Sequence, residues 1–219
     1  YESDLYIGQP LDNVYARSKF EAEKLVLESV QKGLRANIMR LGNLTNRFRD
    51  GAFQKNHETN AFLMRIKAIL EMGLFPDYLM DLYLEFTPID AAAEAIMTIA
   101  RHFTVERTVF HINSTKVVYM DKMMSYFREL GCPLEVVGGK AFTDALRKTM
   151  EQKGQEYIFE TFINDMDDDD RLNYDSKIRI ENEFTVEYLR RLGFEWPDIG
   201  MEYLKKYITY FRKINYLEV

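Results

Sequence analysis

Between residues 14 and 31 apolar side chains recur at helical spacing, with Phe20, Leu25, Leu27 and Val30 set among Glu21, Glu23, Lys24 and Glu28. That periodicity predicts an amphipathic helix, with Asp12 or Asn13 as its cap and Gly33 as its stop. Residues 35–41 read as a short strand ending at Gly42 and Asn43, so helix and strand form half of an α/β crossover. Residues 44–58 are polar and charged around Gly51, which predicts a long loop, and loops of that length in compact domains are often functional. A second helix is expected over 61–73, with Phe62, Ile66, Ile69 and Leu70 as its stripe. A strand over 83–86 runs into Asp90, an expected N-cap for a helix over 91–102 that packs through Ala92, Ala95, Ile96 and Ile99. A strand over 108–112 and a helix over 120–130 follow, closed by Gly131. Residues 134–137 and a helix over 141–152 complete a small α/β section. Residues 158–170 end in an acidic run, and helices over 186–191 and 200–214 close the chain around Trp196-Pro197. The order of elements is that of an α/β protein.

Composition narrows the picture. At 47% hydrophobic and 29% charged residues, the 219-residue chain can bury a sizeable core and does not read as disordered. No apolar run approaches the roughly 18 residues that span a bilayer, so no membrane partner is expected. The net charge of −6, with no basic stripe, argues against nucleic acid. Cys132, the single cysteine, excludes an intramolecular disulfide and suits a reducing cytoplasm. The chain opens on Tyr1 in a polar, loop-like stretch that feeds a strong helix, the expected look of a piece of something longer.

Tyr15 and Lys19 are the chemical candidates. At i, i+4 they share a helix face. An ammonium beside a phenol favours phenolate, and such a tyrosine can give a proton to a reduced carbonyl oxygen. The lysine can also hydrogen-bond a ribose hydroxyl. Spacing alone carries little weight, since chance predicts about one such pair in a chain of this composition. The acidic run from Asp165 to Asp170 fails as a calcium loop: it lacks Gly at the sixth position and has Ser176 at the twelfth. His57, His102 and His111 show no metal-ligand spacing, so no metal is expected. His57, in the long loop, could approach a substrate, but reads better as a surface residue. Met123-Met124 and the stripe of Tyr203, Tyr207, Tyr210 and Phe211 read as core.

The stretch YARSKFEAEKLVLESVQKGLRANIMRLGN resembles the active-site helix and following strand of extended short-chain dehydrogenase/reductases. More closely, RLGNLTNRFRDGAFQKNHETNAF, EFTPIDAAAEAI and FEWPDIGMEYLKKYITYFRKINYL resemble the thioester reductase domains that end non-ribosomal peptide synthetases and carboxylic acid reductases. The resemblance runs in order over most of the chain. It implies an extended Rossmann-like fold with a mostly helical substrate-binding subdomain. Residues 1–58 would end the Rossmann-like part, and 59–219 would be mainly the subdomain, with segments near 83–112 returning.

By that resemblance Tyr15 and Lys19 are the catalytic pair of an NADPH-dependent reductase, and both touch the cofactor. Gly42, Asn43 and Leu44 would line the nicotinamide, with Asn43 also near the substrate carbonyl. The implied partner is a phosphopantetheinylated carrier protein bearing an acyl or peptidyl thioester, released as aldehyde or alcohol. Two of the family's features are missing. No G-x-G-x-x-G occurs among the 11 glycines, and no strand bearing the family's Ser or Thr precedes Tyr15. The nucleotide-binding half is therefore expected to lie outside this chain, which alone should neither bind NADPH nor turn over. An exposed strand edge and self-association are expected instead. A nucleotide-sugar epimerase or dehydratase shares the Tyr and Lys spacing, but the stretch after Asn43, LTNRFRDGAFQ, lacks its tyrosine-glycine-proline turn. A non-catalytic carrier-protein docking module is the remaining alternative.

Overall fold

A computed structural model describes residues 1–6, 8, 11–102, 108–151, 162, 166, 172 and 180–217. The acidic run of Asp165 and Asp167 to Asp170 lies outside the described residues.

Helix α1 (Val14–Gln31) begins where the Asn13 side chain accepts a hydrogen bond from the Ala16 N–H at 3.1 Å, so Asn13 rather than Asp12 is the cap. Strand β1 (Ile38–Leu41) starts three residues later than its apolar pattern predicts. The reason is its partner: β6 (Val109–Ile112) pairs in parallel with it only from the Ile38–Val109 register onward. Beyond Gly42 and Asn43 the chain forms β2 (Leu44–Thr45), parallel to β5 (Thr87–Pro88), inside what reads in sequence as an uninterrupted loop. A two-residue strand has no period to detect, so only its partner defines it.

Helix α2 (Ala61–Met72) is capped by the Asn60 side chain and ends at Gly73, whose φ of 65° is the left-handed geometry glycine supplies at a helix end. Its buried face is Leu63, Ile66, Ala68 and Leu70, while Phe62 and Ile69 are only partly covered. Strands β3 (Leu74–Pro76) and β8 (Glu135–Val137) pair in parallel. Strand β4 (Tyr83–Glu85) runs antiparallel to β7 (Val117–Tyr119), an element the sequence pattern does not predict. Helices α3 (Ile89–Arg101), α4 (Met120–Glu129), α5 (Gly139–Met150), α6 (Glu183–Arg191) and α7 (Met201–Lys213) complete the described regular elements.

Two apolar clusters hold these pieces together. The larger gathers α2, α4, α5 and α7 around Phe75, Phe86, Phe127 and Phe211, and includes Met123 and Met124. The smaller joins α3, β6 and α6 through Ala92, Ala95, Ile99, Phe110, Leu189 and Trp196. Small residues on α3 let it lie close to β6.

Asp90 departs from its expected role. Helix α3 starts at Ile89, with Pro88 at its cap position, which places Asp90 in the first turn. Its carboxylate accepts hydrogen bonds from the Phe48 N–H at 2.7 Å and the Arg49 N–H at 3.2 Å, tying the 44–58 segment to α3. That segment is pinned at a second point. The buried Tyr203 hydroxyl donates to the Asn46 carbonyl at 2.9 Å and meets the Thr45 hydroxyl at 2.7 Å. Burial raises the pKa of this phenol well above its ordinary value, so it stays neutral and able to donate.

Candidate functional site

A cleft of about 310 Å³ opens where α1 passes the carboxyl ends of β1 and β6. In open parallel sheets this is the end at which ligands bind. The first two turns of α1 contribute Tyr15 and Lys19, and the residue just after β1 contributes Gly42. Asn43 is exposed beyond the cleft lining, and Leu44 packs partly buried against the smaller cluster. Of the five residues predicted from sequence, three therefore share the cleft and two continue the backbone beside it.

Tyr15 is 73% exposed, and the Lys19 ammonium lies 5.3 Å from the centre of its ring. The charge sits against the face of the phenol in a cation–π contact. Helical spacing alone fixes this neighbourhood, since residues four apart stack on one face.

The cleft floor holds two side chains that sequence reasoning missed, Glu85 at the end of β4 and Asn113 just after β6. Gly42 is where they meet: a Cβ at that position would overlap a Glu85 carboxyl oxygen and the Asn113 Cβ. Glycine is required there by close approach rather than by backbone angle. Glu85 accepts hydrogen bonds from the Thr87 hydroxyl and the Asn43 N–H. The Thr87 hydroxyl oxygen in turn accepts from the Ser114 N–H at 2.9 Å. Burial pushes the Glu85 carboxyl above the usual carboxylate range, against the lowering effect of those two hydrogen bonds. A sequence signal existed: Glu85 is a charge inside the apolar run Tyr83-Leu84-Glu85-Phe86.

One wall of the cleft is an ionic hub. The Arg40 guanidinium grips the Glu23 carboxylate through Nε at 3.0 Å and Nη2 at 2.6 Å, locking α1 onto β1. Arg40 also donates to the Asp4 carbonyl at 2.9 Å and approaches His111 Nε2 at 3.0 Å. Beneath the hub, buried Glu2 accepts from the Thr185 N–H and hydroxyl at 3.2 and 3.1 Å. His57 lies elsewhere, packed against Phe211 and Tyr216 with ring centres 6.1 and 4.9 Å away, and lines a different cavity. Among the described residues no group of His, Cys, Asp and Glu could hold a metal ion. No described helix is long and apolar enough to cross a membrane.

Residues 2–96 match the family model described as "Male sterility protein" (NAD_binding_4). The chain is 26% identical over 210 residues to a linear gramicidin synthase of Brevibacillus parabrevis, an alignment covering 95% of this chain and 4% of that protein. Among solved structures, a thiolation-reductase di-domain from an archaeal non-ribosomal peptide synthetase superposes with a TM-score of 0.83 at 34% identity. That match covers 99% of this chain and 44% of the other. The reductase domain of the aureusimine biosynthetic cluster superposes with a TM-score of 0.78 at 26% identity, covering 98% and 54%. The chain thus spans about half the length of these solved reductase structures and a small part of the synthetase.

Proposed function

From a chain similar along nearly its whole length to part of the terminal reductase domains of non-ribosomal peptide synthetases, we propose that it supplies the acid-catalytic edge and the substrate-binding part of an NADPH-dependent thioester reductase. The observation that carries this reading is the convergence of Tyr15, Lys19 and Gly42 on one cleft at the carboxyl ends of β1 and β6. The nicotinamide end of a dinucleotide fits what is present: an exposed phenol, an ammonium beside it, and the Gly42 backbone lining the same cleft. Tyr15, Lys19 and Gly42 would hold that end, with the Asn43 and Leu44 backbone beside them. A glycine-rich turn for the pyrophosphate is not among the described residues.

When bound, NADPH supplies the hydride. The chain's own contribution is acid catalysis and placement. The Tyr15 hydroxyl donates its proton to the carbonyl oxygen of the thioester as negative charge gathers there. Lys19 keeps a positive charge against the phenol, offsetting the negative charge left on it. The resulting hemithioacetal expels the carrier's thiol and leaves an aldehyde, and a second round would give an alcohol. Residues 1–58 serve as the end of the nucleotide-binding part. Residues 59–219, apart from segments near 83–112, serve as the subdomain against which acyl chain and carrier protein dock.

Tyr15→Phe in the protein that carries this chain tests the reading. Aldehyde formation from a pantetheine thioester is expected to fall by about 10²–10⁴-fold, with NADPH binding retained. Turnover at the wild-type rate would remove Tyr15 from the mechanism.

A further inference from the structure

The cleft floor presents acceptors without a cation. Glu85 brings a carboxyl whose hydrogen bonds come from the Thr87 hydroxyl and the Asn43 N–H, both neutral donors. Among the described residues no ammonium or guanidinium pairs with it: Arg40 is engaged by Glu23, and Lys19 lies over Tyr15. Beside it the Asn113 side-chain oxygen is buried and has no hydrogen-bond partner among the described residues. Both press on the same point of Gly42 and line the same cleft as Tyr15. A half-buried carboxyl next to an unpartnered carbonyl is costly unless a donor arrives, and the best donor is a charged one. The pair also stands at the strand ends, in the same cleft as the Tyr15 phenol.

We propose that Glu85 and Asn113 form an acceptor pair that receives the protonated amine of an aminoacyl ligand, so that the cleft prefers thioesters carrying a free α-amino group. This rests on the thioester-reductase reading and narrows it to a substrate class. The Glu85 carboxyl accepts from the ammonium, joined by the Asn113 oxygen when its amide turns out of its buried position into the cleft, while Thr87 and the Asn43 N–H keep the carboxyl in place.

Two unreactive pantetheine amides, one alanyl and one propionyl, differ at the α-carbon by that ammonium. The protein that carries this chain, titrated calorimetrically with each at neutral pH and without NADPH, is expected to bind the alanyl compound about ten-fold or more tightly. In Glu85→Gln the ratio should collapse toward one. Asn113→Asp, which adds negative charge at the same point, should widen it. Equal or undetectable binding of the two probes by the wild type, or a preference that survives Glu85→Gln, overturns the proposal, as does a ratio unmoved by Asn113→Asp. A loss of preference matched by a raised KM for NADPH in Glu85→Gln also overturns it, because the pair would then be reading the nicotinamide carboxamide. Reduction of the corresponding thioesters is assayed separately. If neither is reduced, the reductase reading fails while the amine preference has still been measured.

Discussion

The His111 imidazole is held in one tautomer by its two neighbours. Arg40 can only donate, so Nε2 must accept, and Nδ1–H donates to the Glu181 carbonyl at 2.6 Å. Protonation would set an N–H against the guanidinium inside a 6%-exposed site. Burial, and secondarily the Arg40 charge, hold the imidazole below its usual pKa, against the opposing pull of the Glu181 carbonyl and the Glu2 carboxylate. The sign follows. Between the unfolded value of about 6.5 and the lower folded value, the unfolded chain binds the extra proton, so stability is complete above about pH 6.5 and falls with pH down to the folded pKa. Urea unfolding between about pH 7.5 and about pH 5 should show this loss, with a flatter profile in His111→Gln. Equal slopes in the two proteins would exclude His111 as the source. Little of this was legible in sequence. Tyr15 and Lys19 were found because both lie on one helix, whose geometry brings them together. Arg40, His111, Glu85 and Asn113 come from separate segments, and only the parallel pairing of β1 with β6 and the return of β4 place them around one cleft.

Among the elements, the long periodic ones were readable, and of the short strands the pattern predicts β4 and β8 but not β2, β3, β5 or β7. Helix α1 runs from Val14 to Gln31 as its pattern predicts, and α7 buries Tyr203, Tyr207 and Phe211 as its aromatic stripe implies. Strands β2, β5 and β7 have two or three residues each, too few for an alternation to show, and exist because a partner lies alongside. Asp90 illustrates the same limit at an element's end. Its position before an apolar run is the signature of a cap, yet its carboxylate spans to Phe48 and Arg49, and nothing local announces that contact. Removing it should cost more than losing a surface cap. Asp90→Ala is expected to destabilise the chain by about 1–3 kcal/mol in denaturant unfolding, and Asp90→Asn by less, since one acceptor oxygen remains. Neutral behaviour of the alanine variant would show that the other anchors of the 44–58 segment, such as Tyr203 on Asn46 and Lys206 on Phe48, hold it without Asp90.

For the molecule as a whole, the two apolar clusters cover most of the described elements but leave α1 and the outer side of β1 thinly covered. None of the 18 residues of α1 is buried, and Tyr15, Leu25, Leu34 and Leu41 are 73, 65, 51 and 47% exposed. Among the described residues β1 pairs with β6 alone. The Ile38 and Gly42 N–H groups bond toward β6, so those of Met39 and Leu41 point to the other side, where they and their neighbouring carbonyls form a bare edge. An uncovered edge flanked by exposed apolar side chains is a template for another strand. Studied alone, the 219-residue chain is therefore expected to self-associate through this edge, giving a sedimentation coefficient that rises with concentration. Leu41→Lys, which places a charge on the edge in the manner natural sheets use to blunt one, should move the equilibrium toward monomer. A segment supplying a strand along Met39 and Leu41 would both suppress association and protect those amides from hydrogen exchange. A single monomeric species across the whole concentration range, with the Met39 and Leu41 amides exchanging freely, would show instead that the exposed face of α1 and the edge of β1 are stable in water as they stand.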